Sequence, residues 1–224
     1  MDLNEMLTRI EVAVDDDRFT VAGNFIPLIN EALSELAEQY PINALATSDT
    51  ITVDAAGASP VSLPDDYLHD VYRVENTTNG GNVVKIRENL NALKSLFDCC
   101  SYTGYITDVA IAGDLLYFEP DPTTDVEDQT LTLHYYKQFT PVTVPVDGEE
   151  PQTIAWVPDR FQEGLIVDYV LMEIFKLIED GFDGQKINTA FYQSRYDAAR
   201  EKFDAYTLTN PRQKPVIKRN AQFM

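Results

Sequence analysis

The chain has 224 residues, of which 44% are hydrophobic and 11% aromatic, and its formal net charge at pH 7 is −20. This length and composition allow a core large enough to offset the conformational entropy lost on folding, which excludes wholesale disorder. The excess of acidic residues argues against direct nucleic-acid binding, because phosphate contacts need Lys and Arg to displace counterions.

Residues 1–43 predict two N-terminal helices. In the first, apolar residues recur at helical spacing, at Leu3, Met6, Leu7, Ile10 and Val14, and the run Asp15, Asp16, Asp17 ends the helix. The second begins with Asn24 as its expected N-cap and Pro27 in its first turn, and it ends before Pro41.

Residues 44–140 predict an antiparallel β module inserted between helices. Apolar and polar residues alternate over 50–53, 71–74 and 131–136, which is the period of a half-buried strand. Turns are expected at Asn79-Gly80-Gly81 and Ala112-Gly113-Asp114. The segment 88–100 breaks the pattern with Leu90, Leu93, Leu96 and Phe97 at helical spacing, which indicates a short helix laid on the sheet.

Residues 141–209 predict a C-terminal helical hairpin. One helix starts at Pro158-Asp159 and is apolar over most of its circumference, so we expect it at the centre of the core. The last helix, 185–208, is expected to bury one stripe, formed by Ile187, Phe191, Tyr192, Tyr196, Ala199, Phe203 and Tyr206. The predicted fold class is therefore α+β, with N- and C-terminal helices forming a helical bundle around the inserted β module.

Residues 210–224 form an extended basic tail in this interpretation. Pro211 and Pro215 disfavour a long helix, and the segment from Pro211 to the end carries +4, which leaves −24 on the rest of the chain. An extended cationic strand with apolar residues suits docking onto another subunit, although a frayed terminus would look similar. The candidate partner-binding residues are Arg212, Lys214, Val216, Ile217, Lys218, Arg219 and Phe223.

The chain offers little for catalysis. His69 and His134 lack a helical i+4 or Cys partner, and the Gly-rich phosphate loops and the nucleophile elbow are missing from the sequence. The acidic residues Asp121, Asp125, Glu127 and Asp128 resemble a solvated turn more than a calcium loop. We therefore expect a protein that is not an enzyme and assign no catalytic, cofactor-binding or metal residue; an enzyme with an unrecognised carboxylate site is an alternative.

The compartment expected from the sequence is a reducing cytoplasm. Cys99 and Cys100 are adjacent, which ordinary disulfide geometry disfavours, so they are expected to be reduced thiols. The sequence shows neither an apolar run of about 20 residues nor the start of a signal peptide. We expect a soluble protein that is made in a cytoplasm and does not enter a membrane.

The order of these segments resembles the head-to-tail adaptor, or connector, proteins of tailed bacteriophages. The resemblance covers most of 24–206 and depends on order more than on any invariant motif. Its carriers are the helix 29–41 (INEALSELAEQYP), the segment 62–68 (SLPDDYL), the helix start 157–166 (VPDRFQEGLI), and Tyr192, Tyr196 and Phe203 in the last helix.

This resemblance implies a structural virion protein of the neck. Such adaptors form a ring, usually of twelve copies, that docks beneath the portal protein and offers its other face to the tail or to a second neck ring. DNA would pass through the channel without specific binding, which suits the acidic body. The basic tail would contact the portal or a neighbouring copy, and the β insertion, larger than the smallest adaptors need, would serve as a platform.

Two other classes remain open at this point. One is a different head-completion or tail-tube component. The other is an acidic DNA-mimic inhibitor, which would explain the net charge of −20 but has no use for the basic C-terminus.

Overall fold

The computed structural model describes residues 1–54, 59–97, 103–120, 128–146, 148–180 and 186–209. The chain divides into two compact units. Residues 1–45 and the described residues from 139 onward form the helical unit, and residues 46–138 form the β unit. The fold is α+β; the finer division into four segments stays a prediction.

Two helices open the helical unit. The first, α1 (Leu3–Val14), has a capping box in which the Asp2 side chain accepts from the Glu5 N–H and the Glu5 side chain accepts from the Asp2 N–H. Asp15 ends it with a φ of 44°. The apolar positions predicted from the sequence are buried, at Leu3, Met6, Leu7, Ile10 and Val14.

The second helix begins one turn earlier than predicted. A π-helical turn, Val21–Phe25, leads into α2 (Ile26–Gln39), and Thr20 is its N-cap because its side chain accepts from the Gly23 N–H at 3.1 Å. The expectation that Asn24 caps this helix is wrong. The Asn24 side chain instead accepts from the Thr20 N–H at 3.0 Å, so it supports the cap from inside the turn.

The β unit is one seven-stranded sheet. Its strand order is β1-β7-β3-β4-β5-β6-β2. The strands are β1 (Ala46–Val53), β2 (Val61–Ser62), β3 (Tyr67–Asn76), β4 (Asn82–Arg87), β5 (Asp108–Ala112), β6 (Leu115–Glu119) and β7 (Gln129–Lys137).

The sheet is mixed, which corrects the prediction of a purely antiparallel module. Strands β4 and β5 pair in parallel, with Ile86 opposite Val109. Parallel neighbours need a crossover connection, and α3 (Leu90–Phe97) lies in that connection and contacts both strands and β6. The predicted short helix on the sheet is therefore confirmed, but its role as a crossover was missed.

A pair of buried amides connects separate segments of the β unit. The Asn76 amide donates to the Gln129 side-chain oxygen at 2.7 Å, and both residues are fully buried. The same Gln129 oxygen accepts from the Ile106 N–H at 2.9 Å, while its amide donates to the Gly104 carbonyl at 2.9 Å. These bonds join β3 and β7 to the segment before β5 inside an otherwise apolar core.

One continuous helix is the centre of the helical unit, as predicted. It comprises α4 (Asp159–Gln162), a π-helical turn (Glu163–Val167) and α5 (Asp168–Ile178), and we call these residues, 159–178, the central helix. Helices α1, α2 and α6 (Ile187–Thr209) all contact it. Its buried residues include Phe161, Leu165, Ile166, Val170, Ile174 and Phe175.

Helix α6 buries only part of the stripe expected from the sequence. Tyr196 and Phe203 are buried, but the exposed fractions of Ile187 and Phe191 are 66% and 54%. At 3.6 residues per turn, these two residues lie about 100–140° away from the mean direction of the other members of the stripe. The prediction grouped two faces of one helix.

Candidate interaction site

The π-helical turn of the central helix brings α6 unusually close. A Cβ atom added to Gly164 would lie 2.5 Å from the Cβ atom of Ala199, closer than real Cβ atoms approach. Glycine and alanine therefore allow the two helices to cross in direct contact. This crossing sets the position of every charged side chain described next.

A charged network surrounds the crossing. Asp168 is 2% exposed, and its carboxylate accepts from Arg195 Nε at 3.0 Å. The same guanidinium donates to Glu163 at 3.2 Å, and Arg9 of α1 donates to the other oxygen of Glu163 at 2.7 Å. Glu163 thus links α1 and α6 across the central helix.

The environment of Asp168 opposes its negative charge. Burial raises the pKa of its carboxyl to about 6, and nearby Glu163 acts in the same direction, while Arg195 partly offsets both. At neutral pH Asp168 is mainly ionised and paired with Arg195.

A shallow groove opens above this network, between the central helix and α6. We call it the basic groove because three cations line it, Arg160, Arg195 and Lys202, against two carboxylates that Arg195 already engages. Gly164, Ala198 and Ala199 are also among the residues that line it. In a chain of net charge −20, this surface offers cations to an acidic group of another molecule.

A second cavity, of about 250 Å³, lies at the C-terminal end of α6. We call it the aromatic pocket. It is lined by Pro41, Ile42, Asn43, Ala44, Ala155, Trp156, Pro158, Phe203, Tyr206 and Thr207. Prolines and aromatic rings at a partly open surface, mixed with the hydrogen-bonding groups of Asn43 and Thr207, provide a site that suits an extended peptide.

Aromatic and polar contacts fix the walls of the aromatic pocket. The Phe203 ring packs edge-on against Tyr40 and Phe161, with centroids 4.9 and 5.1 Å away. The Tyr40 hydroxyl donates to Asp204, and burial together with this carboxylate raises the pKa of Tyr40 to about 12. The Arg160 guanidinium lies 4.6 Å from the ring centroid of Tyr206, one of the residues that line the pocket.

The residues predicted to bind a partner all lie outside the described residues. This holds for Arg212, Lys214, Val216, Ile217, Lys218, Arg219 and Phe223, so their role stays a prediction. Cys99, Cys100 and the acidic residues Asp121, Asp125 and Glu127 also lie outside. Within the described part of the chain, no group of three or more His, Cys, Asp or Glu residues is arranged to hold a metal ion.

The two histidines lie in strands, as predicted. His69 of β3 stacks on Tyr136 of β7, with ring centroids 5.2 Å apart. Tyr72 contacts both His134 and Tyr136, at 6.1 and 5.3 Å. Both histidines are thus half-buried members of one aromatic cluster on the sheet.

Sequence reasoning missed both the basic groove and the aromatic pocket. The residues of the aromatic pocket come from segments more than 100 positions apart, such as Pro41 and Tyr206, and those of the basic groove come from two different helices. Spacing within one helix does not reveal such pairs. A partial signal was available: Gly164 within an apolar helix indicates a close helix contact, and Trp156-Val157-Pro158 places an aromatic residue beside a helix start.

No helix in the described ranges is both long and apolar enough to cross a bilayer.

The fold and these surfaces define an α+β protein with sites suited to contacts between proteins. The chain belongs to the SU10 adaptor protein family, whose model matches residues 1–218. This confirms the resemblance to phage head-to-tail adaptors drawn from the sequence. Membership makes the chain a structural adaptor of a bacteriophage, located in the virion neck with other virion proteins. Among curated proteins, none matches the chain.

Proposed function

We propose that this protein forms a ring, of about twelve copies as in the adaptors it resembles, that joins the portal vertex to the tail and continues the DNA channel. Its partners are the neighbouring copies, the portal protein, and a tail or second neck-ring protein. Family membership over residues 1–218 is the observation that carries this proposal.

The charge distribution supports the passage of DNA without adhesion. Residues up to 210 carry −24, so a ring of copies presents an acidic wall that repels phosphate. DNA then lies in the channel without binding to its wall. Ejection of the genome therefore requires no protein–DNA bonds to be broken.

Exposed apolar residues on the helical unit support its use in subunit contacts. Val12 of α1 is 77% exposed, Leu177 of α5 62% and Phe191 of α6 54%. We infer that helices of the helical unit form a bundle that packs side by side with neighbouring copies, and that the β unit serves as a platform. Burial of such side chains between copies would remove apolar surface from water.

The basic tail is the proposed anchor. Its four cations and its apolar residues Val216, Ile217 and Phe223 suit docking of an extended strand onto the portal or a neighbouring copy. Because the rest of the chain is acidic, the surface of a neighbouring copy is one surface that would attract these cations.

Removal of the tail tests this function. Deletion of Pro211 through Met224 should leave the circular dichroism of the body unchanged and abolish co-sedimentation with the portal. The matched control replaces the polar tail residues Gln213, Asn220 and Gln222 with Ser, which should retain docking. Undiminished docking of the truncated chain contradicts the role of the tail, and failure of the intact chain to bind portal contradicts the adaptor function itself.

A further inference from the structure

We propose that the aromatic pocket is the receiving site for the C-terminal segment, 210–224, of a neighbouring copy. One or more of the apolar side chains Val216, Ile217 and Phe223 would enter the pocket, and the basic residues around them would lie away from Arg160. This inference rests on the proposed ring and names the partner of the tail.

The chemistry of the pocket matches an extended, proline-containing strand. Its walls are two prolines, Pro41 and Pro158, and the rings of Trp156, Phe203 and Tyr206. Aromatic-lined grooves of this kind bind proline-containing segments, because such segments lose little conformational entropy on binding. The segment 210–224 combines Pro211 and Pro215 with three apolar side chains.

The charges around the pocket orient the segment. Arg160 covers one side of Tyr206, whereas Asp204 follows Phe203 and accepts from the Tyr40 hydroxyl next to Pro41. Residues 1–45, which contribute Pro41, contain nine acidic and two basic residues. Arg200 lies beside Asp204 and Tyr40, so the Lys and Arg residues of the segment are expected away from both Arg160 and Arg200.

The length of the chain beyond α6 allows an exchange between copies. Helix α6 ends at Thr209, and the pocket lies beside its last turns, at Phe203, Tyr206 and Thr207. The fifteen residues that follow span at most about 50 Å when fully extended, at 3.3–3.6 Å per residue. That reach suffices for each copy in a ring to place its tail on the next copy.

Trp156 provides a direct probe, since it is the only tryptophan of the chain and it lines the pocket. The experiment uses full-length protein carrying V216S, I217S and F223S, whose own segment lacks the apolar side chains. A synthetic peptide of residues 210–224 is titrated into it while Trp156 fluorescence is recorded. We expect a saturable change in emission, and at least about tenfold weaker binding of a peptide with the same three Ser substitutions.

Variants at Ala155 locate the binding site. Ala155 is exposed and lines the pocket, so A155K should block the peptide by bulk and charge, whereas A155S should bind as the parent does. Absence of a saturable change, or equal binding by A155K, overturns the proposal.

The unmodified full-length chain shows which copy supplies the segment. Its Trp156 emission should change on dilution if the segment comes from a neighbour. Emission that differs from the triple Ser variant but is independent of concentration indicates that each chain binds its own tail, and overturns the assignment to a neighbouring copy. None of these measurements involves the portal. The pocket can therefore bind the peptide even if the chain fails to dock on the portal, and the chain can dock on the portal even if the pocket does not bind the peptide.

Discussion

The two units of this protein bury the same kinds of polar side chain in different settings. Each unit buries amides that bond within the fold, Asn76 and Gln129 in the β unit and Gln162 in the helical unit. Each unit also buries a carboxylate that pairs with an arginine, Asp108 with Arg87 in the β unit and Asp168 with Arg195 in the helical unit, and the Asp168 pair lies beside an open groove. Buried amides specify a fold, whereas a half-exposed charge pair also leaves cations available to a partner.

We expect the largest loss of stability from a substitution in the apolar core of the helical unit. Leu165 is fully buried in the central helix, and Leu165→Ala should lower the free energy of unfolding by about 2–5 kcal/mol because it removes buried atoms and leaves a cavity. Denaturant unfolding followed by Trp156 fluorescence measures it. Leu177→Ala, at a 62% exposed position of the same helix, should change stability by less than about 0.5 kcal/mol. Equal effects of the two variants would show that the central helix is misplaced.

The matching test in the β unit concerns Gln129. Gln129→Leu keeps the approximate size of the side chain but removes the partner of the Asn76 amide, the Ile106 N–H and the Gly104 carbonyl, at about 1–3 kcal/mol for each buried group left unpaired. Far-UV circular dichroism during urea titration measures the loss. Gln138→Leu, at an exposed position, is the control, and a loss of similar size there would contradict the importance of the buried amide.

The helix crossing gives a test with a built-in rescue. Gly164→Ala should destabilise the helical unit by about 1–3 kcal/mol, because the new methyl group overlaps Ala199. The double variant G164A/A199G removes the overlap and should recover most of that loss, because the helix-propensity cost of glycine at 199 is offset by the gain of alanine at 164. Thermal unfolding measures both variants. Additive losses in the double variant would mean that the two residues do not touch.

Proton binding by Asp168 should make the stability of the helical unit depend on pH. Its folded-state pKa, raised to about 6, exceeds the value of about 3.9 expected in the unfolded chain, so the folded state binds the extra proton between these two values. The contribution of Asp168 to stability therefore rises as pH falls from about 6 to about 4, by roughly 2 kcal/mol.

The variant Asp168→Asn should lack this contribution, so the difference in unfolding free energy between wild type and D168N isolates it from other carboxylates. Urea titrations at several pH values between 4 and 7 measure that difference. A difference independent of pH would show that burial does not raise the pKa of Asp168.

Local patterns predicted most elements of the fold. The five apolar positions of α1 lie on one buried face, and Pro158-Asp159 marks the start of the central helix, because both signals come from neighbouring residues. Thr20 was missed as the N-cap because a π-helical turn moves the helix start, and spacing at 3.6 residues per turn does not reveal such a turn.

The pairing of segments that are distant in the sequence could not be predicted from local sequence patterns. The parallel pairing of β4 with β5 follows from the crossover at α3, and alternation within a strand is the same for parallel and antiparallel neighbours. The aromatic pocket likewise joins Pro41 to Tyr206 through contacts between the residue after α2 and helix α6, such as that of Tyr40 with Phe203. The charge contrast between body and tail was readable from the sequence, since it requires no knowledge of contacts.

We propose that this acidic protein forms a ring that is anchored in the phage neck by its basic C-terminal segment. A cryo-electron microscopy map of the portal–adaptor assembly, with residues 210–224 traced, tests this proposal most directly. We expect a closed ring of this chain on the portal, with Val216, Ile217 and Phe223 in contact with another subunit. A map in which this segment extends into solvent without contacting another subunit would contradict it.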